Sequence, residues 1–497
     1  MSNFLNEKDY EVKIGHITPK KIGCGSYGNI FMSSNNFAVK VQKIKDVVYI
    51  REISILRYLN HINIIKPEGY IFDKKSNEVH FAMKKAEFSL DVAIKNGLSI
   101  DMVVSISYQM LRAVEYLECN NIIHRDIKPS NILIYGNEVK LCDFGLSKYF
   151  IVGEKSYMSH TGDVQTLWYR SPEVTKRQKY GFKVDVWSLG AIILDMIAND
   201  KFFEQRYGFM DKYINDSNDE ISFVFHWFGY LLGREGVDEI DWINEEEKKF
   251  IREKSNLYKL CDCVDHPIVD LALNLLRWLP EKRMSSSEGL NHKCFDDLEK
   301  VEFPNQIKTN VINWYNSKES KLTYIDSCHR TVLFGWLWEV SYEYNMIPQS
   351  VVVCFALFDL FIKVRDVLLK NVQLVGVCCL SIVDKMLSVE PINYYQWSLS
   401  TDNTYSCRSI IEMEQMILNE FNFDIVNIFD NICRYNFGMT KWVIISCMLS
   451  FDNPVSIDNI LKMDIKEIIS NVEERRKCLE KNVLIEQTLK ILESYDK

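Results

Sequence analysis

Apolar positions recur along this chain at two spacings, and the change from one to the other divides it. Near the N-terminus FAVKV (37–41) alternates like a strand, and before it IGCGSYGNI (22–30) sets glycines between β-prone stretches. The next segment, YIREISILRYL (49–59), switches to helical spacing, with Ile50, Ile53, Ile55, Leu56 and Leu59 on one side and Glu52 off it. From 328 to 425 hardly a strand signal remains, and the chain reads as successive apolar helices, so the class passes from α+β to all-α. The stretch CHRTVLFGWLWEVSYEY (328–344) puts Leu333, Trp336, Leu337, Val340 and Tyr344 on one continuous helical face. Arg330 and Glu339 lie just off that stripe, too sparse a charge pattern for a cationic membrane helix. The clean apolar run Val351–Phe358 is cut by Asp359, far short of the ~20 residues that span a bilayer.

Composition narrows the classes further. At 497 residues the chain exceeds one ordinary core, and about three folding units are expected. A 47% hydrophobic and 26% charged composition is globular, and a net charge of −9 argues against phosphate-backbone binding, so neither nucleic acid nor a membrane is the expected partner. MSNFLNEKDY lacks a signal-peptide pattern, which points to an intracellular location, cytoplasmic, nuclear or both. The 14 cysteines then read as free thiols, and neither Cys261/Cys263 nor Cys378/Cys379 has the CxxC spacing of a zinc site.

Gly23, Gly25 and Gly28 alone would fit a hairpin turn, and Lys40 alone a solvated strand lysine. HRDIKPSN (124–131), DFG (143–145) and SPE (171–173) follow in order, and together the motifs resemble the protein-kinase signature set. The resemblance implies a bilobal kinase fold over 14–298, behind an N-terminal extension 1–13, with ATP and Mg²⁺ as cofactors. Phosphoryl transfer needs charge neutralisation and in-line positioning more than covalent chemistry. By resemblance Lys40 holds the α and β phosphates, Glu52 orients Lys40, and Asn131 and Asp143 supply oxygens to Mg²⁺. Asp126 takes the acceptor hydroxyl proton and Lys128 neutralises the moving phosphoryl group. Ile22, Ile30, Ala38 and Leu133 sandwich the adenine, Met83 is the gatekeeper, and the backbone of Lys84 to Ala86 hydrogen-bonds the base. A lysine two places after the aspartate is the serine/threonine pattern.

REISIL followed by LNHINIIK, with TLWYRSPE further on, resembles the cyclin-dependent kinases. That likeness puts an activating phosphorylation on Thr161, read by Arg51, Arg125 and Lys148, and inhibitory ones on Ser26 and Tyr27. It also sets Arg283 to pair with Glu173. Two features depart from it: only 12 positions separate Lys40 from Glu52, and Gln165 stands where proline-directed members carry valine.

In the second half HRTVLFGWLWEV, VQLVGVCCLSIVDKML and IIEMEQMILNEFNFDI resemble the first box of A- and B-type cyclins. A cyclin box is expected over 325–427, with a linker carrying an amphipathic helix over 299–324 and a shortened second helical region over 428–497. The resemblance makes Lys385 and Glu414 the pair that grips the kinase. It makes Arg330, Leu333, Trp336, Glu339 and Gln373 a patch for Arg-x-Leu (RxL) substrate peptides. Leu337, Val340 and Tyr344 are expected in the core, Leu333 and Trp336 at the rim. From position 295 to position 329 the chain reaches roughly 90 Å, enough for an intramolecular embrace, with a crossed dimer as the other arrangement. The expected protein is a cyclin-dependent type serine/threonine kinase activated in cis, acting on protein substrates in cell-cycle control. The alternative is an idle kinase half whose cyclin-like half sequesters cell-cycle substrates or inhibitors.

Overall fold

The computed structural model describes residues 7–25, 28–44, 48–73, 76–150, 167–198, 228, 237–246, 248–249, 265–298, 325, 327–388 and 390–433. Contacts divide the described residues into two compact units, one over 7–298 and one over 325–433. Ser26, Tyr27 and Thr161, the linker 299–324 and most of the shortened second region fall outside the described residues.

The first unit begins with α1 (Glu7–Ile14), β1 (Ile17–Gly25), β2 (Gly28–Ser33), β3 (Phe37–Lys43), α2 (Val48–Tyr58), β4 (Pro67–Asp73) and β5 (Glu78–Lys84). The strands form one antiparallel sheet in the order β1-β2-β3-β5-β4. Side chains alternate across a sheet, so Ala38 and Lys40 share one face and Val39 takes the other. On that other face Tyr10 and Ile14 of α1 pack with Val39 and Ala82, ringed by Ile17, Phe37, Val41 and Ile71. Asn35 fastens the helix end by donating to the carbonyls of Val12 and Lys13 at 3.3 and 3.2 Å. The expected N-terminal extension thus supplies a layer of the small lobe. Gly28 is required by close approach, because a Cβ there would lie 2.5 Å from the Val41 carbonyl oxygen.

The large lobe follows with β6 (Phe88–Ser89), α3 (Leu90–Asn96), α4 (Ile100–Cys119), β7 (Ile122–Ile123), β8 (Ile132–Tyr135), β9 (Glu138–Leu141), β10 (Lys148–Tyr149), α5 (Pro172–Thr175), α6 (Lys183–Ala198), α7 (Pro267–Leu275) and α8 (Ser286–Leu290). Helix α6 is apolar around nearly its whole circumference, which makes it a core helix rather than an amphipathic one. It packs against α4 and α7. Arg283 and Glu173 close a bidentate pair at 2.7 and 2.9 Å, and the Arg283 guanidinium lies over the Trp187 ring at 4.9 Å.

The second unit is helical: α9 (Ser327–Glu343), α10 (Pro348–Val364), α11 (Val372–Leu387), α12 (Tyr394–Ser400), α13 (Cys407–Glu420) and α14 (Ile425–Cys433). α11 is buried along almost its full length and touches α9, α10 and α13, so it is the central helix. Its Gly376 lets α9 come close, since a Cβ there would sit 2.7 Å from Leu333 Cδ1. Among the described residues no helix is long and apolar enough to cross a membrane.

Candidate active site

β3 and α2 bring Lys40 and Glu52 together beneath the sheet. Lys40 Nζ lies 2.8 Å from each Glu52 carboxylate oxygen and 2.7 Å from Asp143 Oδ1. Gln42, two residues along the same strand face, donates to Glu52 Oε2 at 2.9 Å and was not legible as part of the site. The pair forms despite the 12-position spacing: α2 starts at Val48, within five residues of the end of β3. Burial alone would pull the Lys40 ammonium down, but the Glu52 and Asp143 carboxylates outweigh it and hold the group above the usual lysine range. Burial pushes Glu52 up, with Asp143 adding to the rise and Lys40 opposing it. Burial would raise Asp143 too, but Lys40 wins and holds it below the ordinary carboxylate range.

The HRDIKPSN loop supplies the other wall. Lys128 Nζ is 2.8 Å from Asp126 Oδ2, and Asn131 donates from Nδ2 to the Asp126 carbonyl at 2.9 Å and to Oδ2 at 3.1 Å. With its amide nitrogen spent on Asp126, Asn131 keeps its oxygen for a cation. That oxygen and the Asp143 carboxylate form a hard donor set that fits a divalent metal completed by nucleotide phosphates. The loop is anchored by Asp185, whose carboxylate accepts the backbone N–H groups of His124 at 2.7 Å and Arg125 at 2.9 Å. Burial pulls His124 down to about 4, so this histidine is neutral and structural, its ring edge-on to Phe144 at 4.8 Å. Arg125 and Asp143 both hold left-handed backbone, at φ 68° and 65°, a strain that clusters at active sites.

Between the two walls lies a cavity of about 170 Å³ lined by Ile30, Lys40, Glu52, Ile65, Phe81, Met83, Lys128, Ser130, Asn131, Leu133, Cys142 and Asp143. Of the expected adenine contacts, Ile30, Met83 and Leu133 line it directly. Ala38 is buried opposite Met83 in the sheet register, Ala86 is half-buried, and Ile22 is 38% exposed. Gly23, Gly25 and Gly28 border the turn whose tip, Ser26 and Tyr27, lies outside the described residues.

Arg51 and Arg125 reach the backbone at the end of DFG and the residue after it, and Lys148 lies just beyond. Arg51 donates to the Gly145 carbonyl at 3.4 Å, Arg125 Nε to the Leu146 carbonyl at 2.6 Å, and Lys148 follows two residues later. The remaining guanidinium nitrogens of Arg125 are buried with no hydrogen-bond partner among the described residues.

In the helical unit Lys385 and Glu414 are joined to each other, Nζ lying 2.5 and 2.7 Å from the two carboxylate oxygens, with both side chains fully buried. Tyr394 completes the group: its hydroxyl donates to Glu414 Oε2 at 2.7 Å and its ring lies 4.0 Å from Lys385 Nζ. On α9 Leu337 and Val340 are buried as expected of a core face and Tyr344 is half-buried. Leu333 is buried against Gly376 rather than standing at a rim, because glycine draws the helices together. Trp336 and Gln373 are half-buried and Glu339 is exposed. Arg330 is tied to Asp359 of α10 at 2.5 Å, with its guanidinium over the Phe355 ring at 5.4 Å.

The family model for the protein kinase domain matches residues 17–295, more than half the chain. The chain belongs to the protein kinase family. The model for the cyclin N-terminal domain matches residues 294–426, so a kinase domain and a cyclin domain are joined in one polypeptide. Mitogen-activated protein kinase 6 of Arabidopsis thaliana is similar, 29% identical over 304 residues that make up 56% of this chain and 72% of that protein. Membership brings ATP and a divalent metal as the general reagents. The kinase match begins at residue 17, so α1 lies ahead of it, and the cyclin match begins well before the expected 325.

Proposed function

We propose that the chain is a serine/threonine protein kinase of the cyclin-dependent type, using ATP and Mg²⁺, activated by its own cyclin domain and acting in cell-cycle control. The observation that carries this is the closed Lys40–Glu52 pair, with Asp143 on the same ammonium, in a polypeptide that contains a cyclin domain. In this reading Asn131 and Asp143 hold Mg²⁺, which neutralises the phosphates, and Lys40 positions the α and β phosphates. Asp126 accepts the hydroxyl proton while Lys128, in contact with it, offsets charge on the transferred group. Phosphorylated Thr161 engages the guanidinium of Arg125 together with Arg51 and Lys148. Covalent linkage keeps the cyclin domain at high effective concentration, and Lys385 and Glu414 are the pair by which that domain grips the kinase. Arg330, Leu333, Trp336, Glu339 and Gln373 receive RxL substrates.

The test is labelled ATP with a histone-type substrate, followed by phosphoamino-acid analysis. The bacterially made chain incorporates phosphate on serine or threonine, and Asp143→Ala does not. Equal signal from both proteins sinks the reading in favour of the sequestering protein, and phosphotyrosine sinks the acceptor assignment. Trp336→Ala lowers phosphorylation of an RxL-bearing protein several-fold relative to a short generic peptide; an equal effect on both removes the docking role.

A further inference from the structure

The segment after the gatekeeper carries a hydrogen bond that the catalytic set does not require. Lys84 ends β5 one residue past Met83, and its carbonyl accepts the Tyr135 hydroxyl at 2.8 Å. Tyr135 ends β8 in the other lobe, two residues after Leu133 and on the same strand face. Met83 and Leu133 both line the cavity, so the bond joins positions one and two residues beyond two of its lining residues. Two further bonds fasten the same junction: Glu87 N–H to the Ile134 carbonyl at 3.0 Å and Gly136 N–H to Glu87 Oε1 at 3.0 Å. Gly136 takes the left-handed backbone, φ 59°, that turns β8 into β9 and brings its N–H round to Glu87. Burial pushes the Tyr135 phenol up, so at neutral pH the hydroxyl keeps its proton and acts as the donor.

We infer that Tyr135 is a specificity-determining residue of the nucleotide site, whose hydroxyl is a standing partner for the Lys84 carbonyl and makes the site tolerant of purine triphosphates lacking a 6-amino group. The inference rests on the reading of Lys84 to Ala86 as the segment that binds adenine. A carbonyl oxygen has two lone pairs, so the Tyr135 hydroxyl and a 6-amino group can share it. A kinase site ordinarily rejects a base without that donor because the carbonyl is left unpartnered once the base excludes water. Here the carbonyl keeps a partner whichever base is bound. Phenylalanine at 135 retains the ring and removes the hydroxyl, which restores the penalty.

The experiment measures Kd, KM and kcat for ATP and for purine riboside 5′-triphosphate in the full chain and in Tyr135→Phe. The unsubstituted protein is expected to prefer ATP by less than about tenfold, and the variant to widen that preference by at least about fivefold. The widening falls on KM and Kd, with kcat for ATP within about twofold, a split that general loosening of the fold does not produce. A preference above tenfold in the unsubstituted protein overturns the inference without reference to any variant. An unchanged ratio in a variant that binds and turns over ATP also overturns it. If the unsubstituted protein binds neither nucleotide, the reading of the site itself fails instead.

Discussion

A buried lysine–glutamate pair stands in each unit, and the two differ in their third partner and in the space beside them. Lys40–Glu52 and Lys385–Glu414 both close at 2.5–2.8 Å with side chains no more than 4% exposed. Lys40 has a second carboxylate, Asp143, and opens on a cavity. Lys385 has instead the neutral ring and hydroxyl of Tyr394, and there burial outweighs Glu414 and pulls the ammonium down. One cluster therefore carries surplus negative charge beside open volume, a setting that fits the divalent cation and phosphates of the proposed reading. In the other the two side chains are fully buried, Glu414 sits on the ammonium, and Asp384 adds to its pull from nearby. The difference teaches that a buried ion pair is read by its charge balance and its access, not by its distance.

Lys40→Met is the largest expected effect. On the proposed reading, loss of the Lys40 charge from the phosphates should cut kcat/KM at least about a hundredfold, while water entering the cavity solvates Glu52 and Asp143 and spares stability. Lys385→Met reverses the pattern. It strands Glu414, whose side chain is fully buried, so urea denaturation should register a loss of about 3–5 kcal/mol. Equal destabilisation by the two substitutions would break the comparison. Tyr394→Phe sharpens it, because removing one donor from a carboxylate that keeps its lysine should cost only about 1–3 kcal/mol.

The kinase half was legible because its chemistry is written in short motifs whose members are held by local turns. Lys40, Glu52, Asp126, Asn131 and Asp143 needed only their order to be picked out; Lys40, Glu52, Asn131 and Asp143 line one cavity, and Asp126 contacts its Lys128 and Asn131. Gln42, Asp185 and Tyr135 were not legible: each acts through a partner 10 to 61 positions away that no periodicity announces. Helix α1 left a faint signal, Tyr10 and Ile14 at i and i+4, too short a pattern to separate from an extension. In the helical unit the apolar stripe gave the core face of α9. It could not give the depth of Leu333, which a glycine on another helix decides.

A third buried pair tests whether the comparison extends beyond lysine. Arg330–Asp359 has one carboxylate for one cation and a phenylalanine ring under the guanidinium, so it should behave like the Lys385–Glu414 pair. Burial pushes Asp359 up to about 6 against the opposing pull of Arg330. A carboxyl with a folded pKa above its unfolded value binds its proton more tightly in the folded state. Its stabilising contribution is complete below about pH 4 and is lost as pH rises through 6. Asp359→Asn fixes the neutral form, so the unsubstituted chain should gain stability relative to the variant on going from pH 7 to pH 4, by on the order of 2 kcal/mol. Urea midpoints of both proteins at the two pH values give the measurement. A gain in the opposite direction would mean that attraction to Arg330 outweighs burial, and would move this pair into the class of Asp143, whose carboxylate is held charged by its cation.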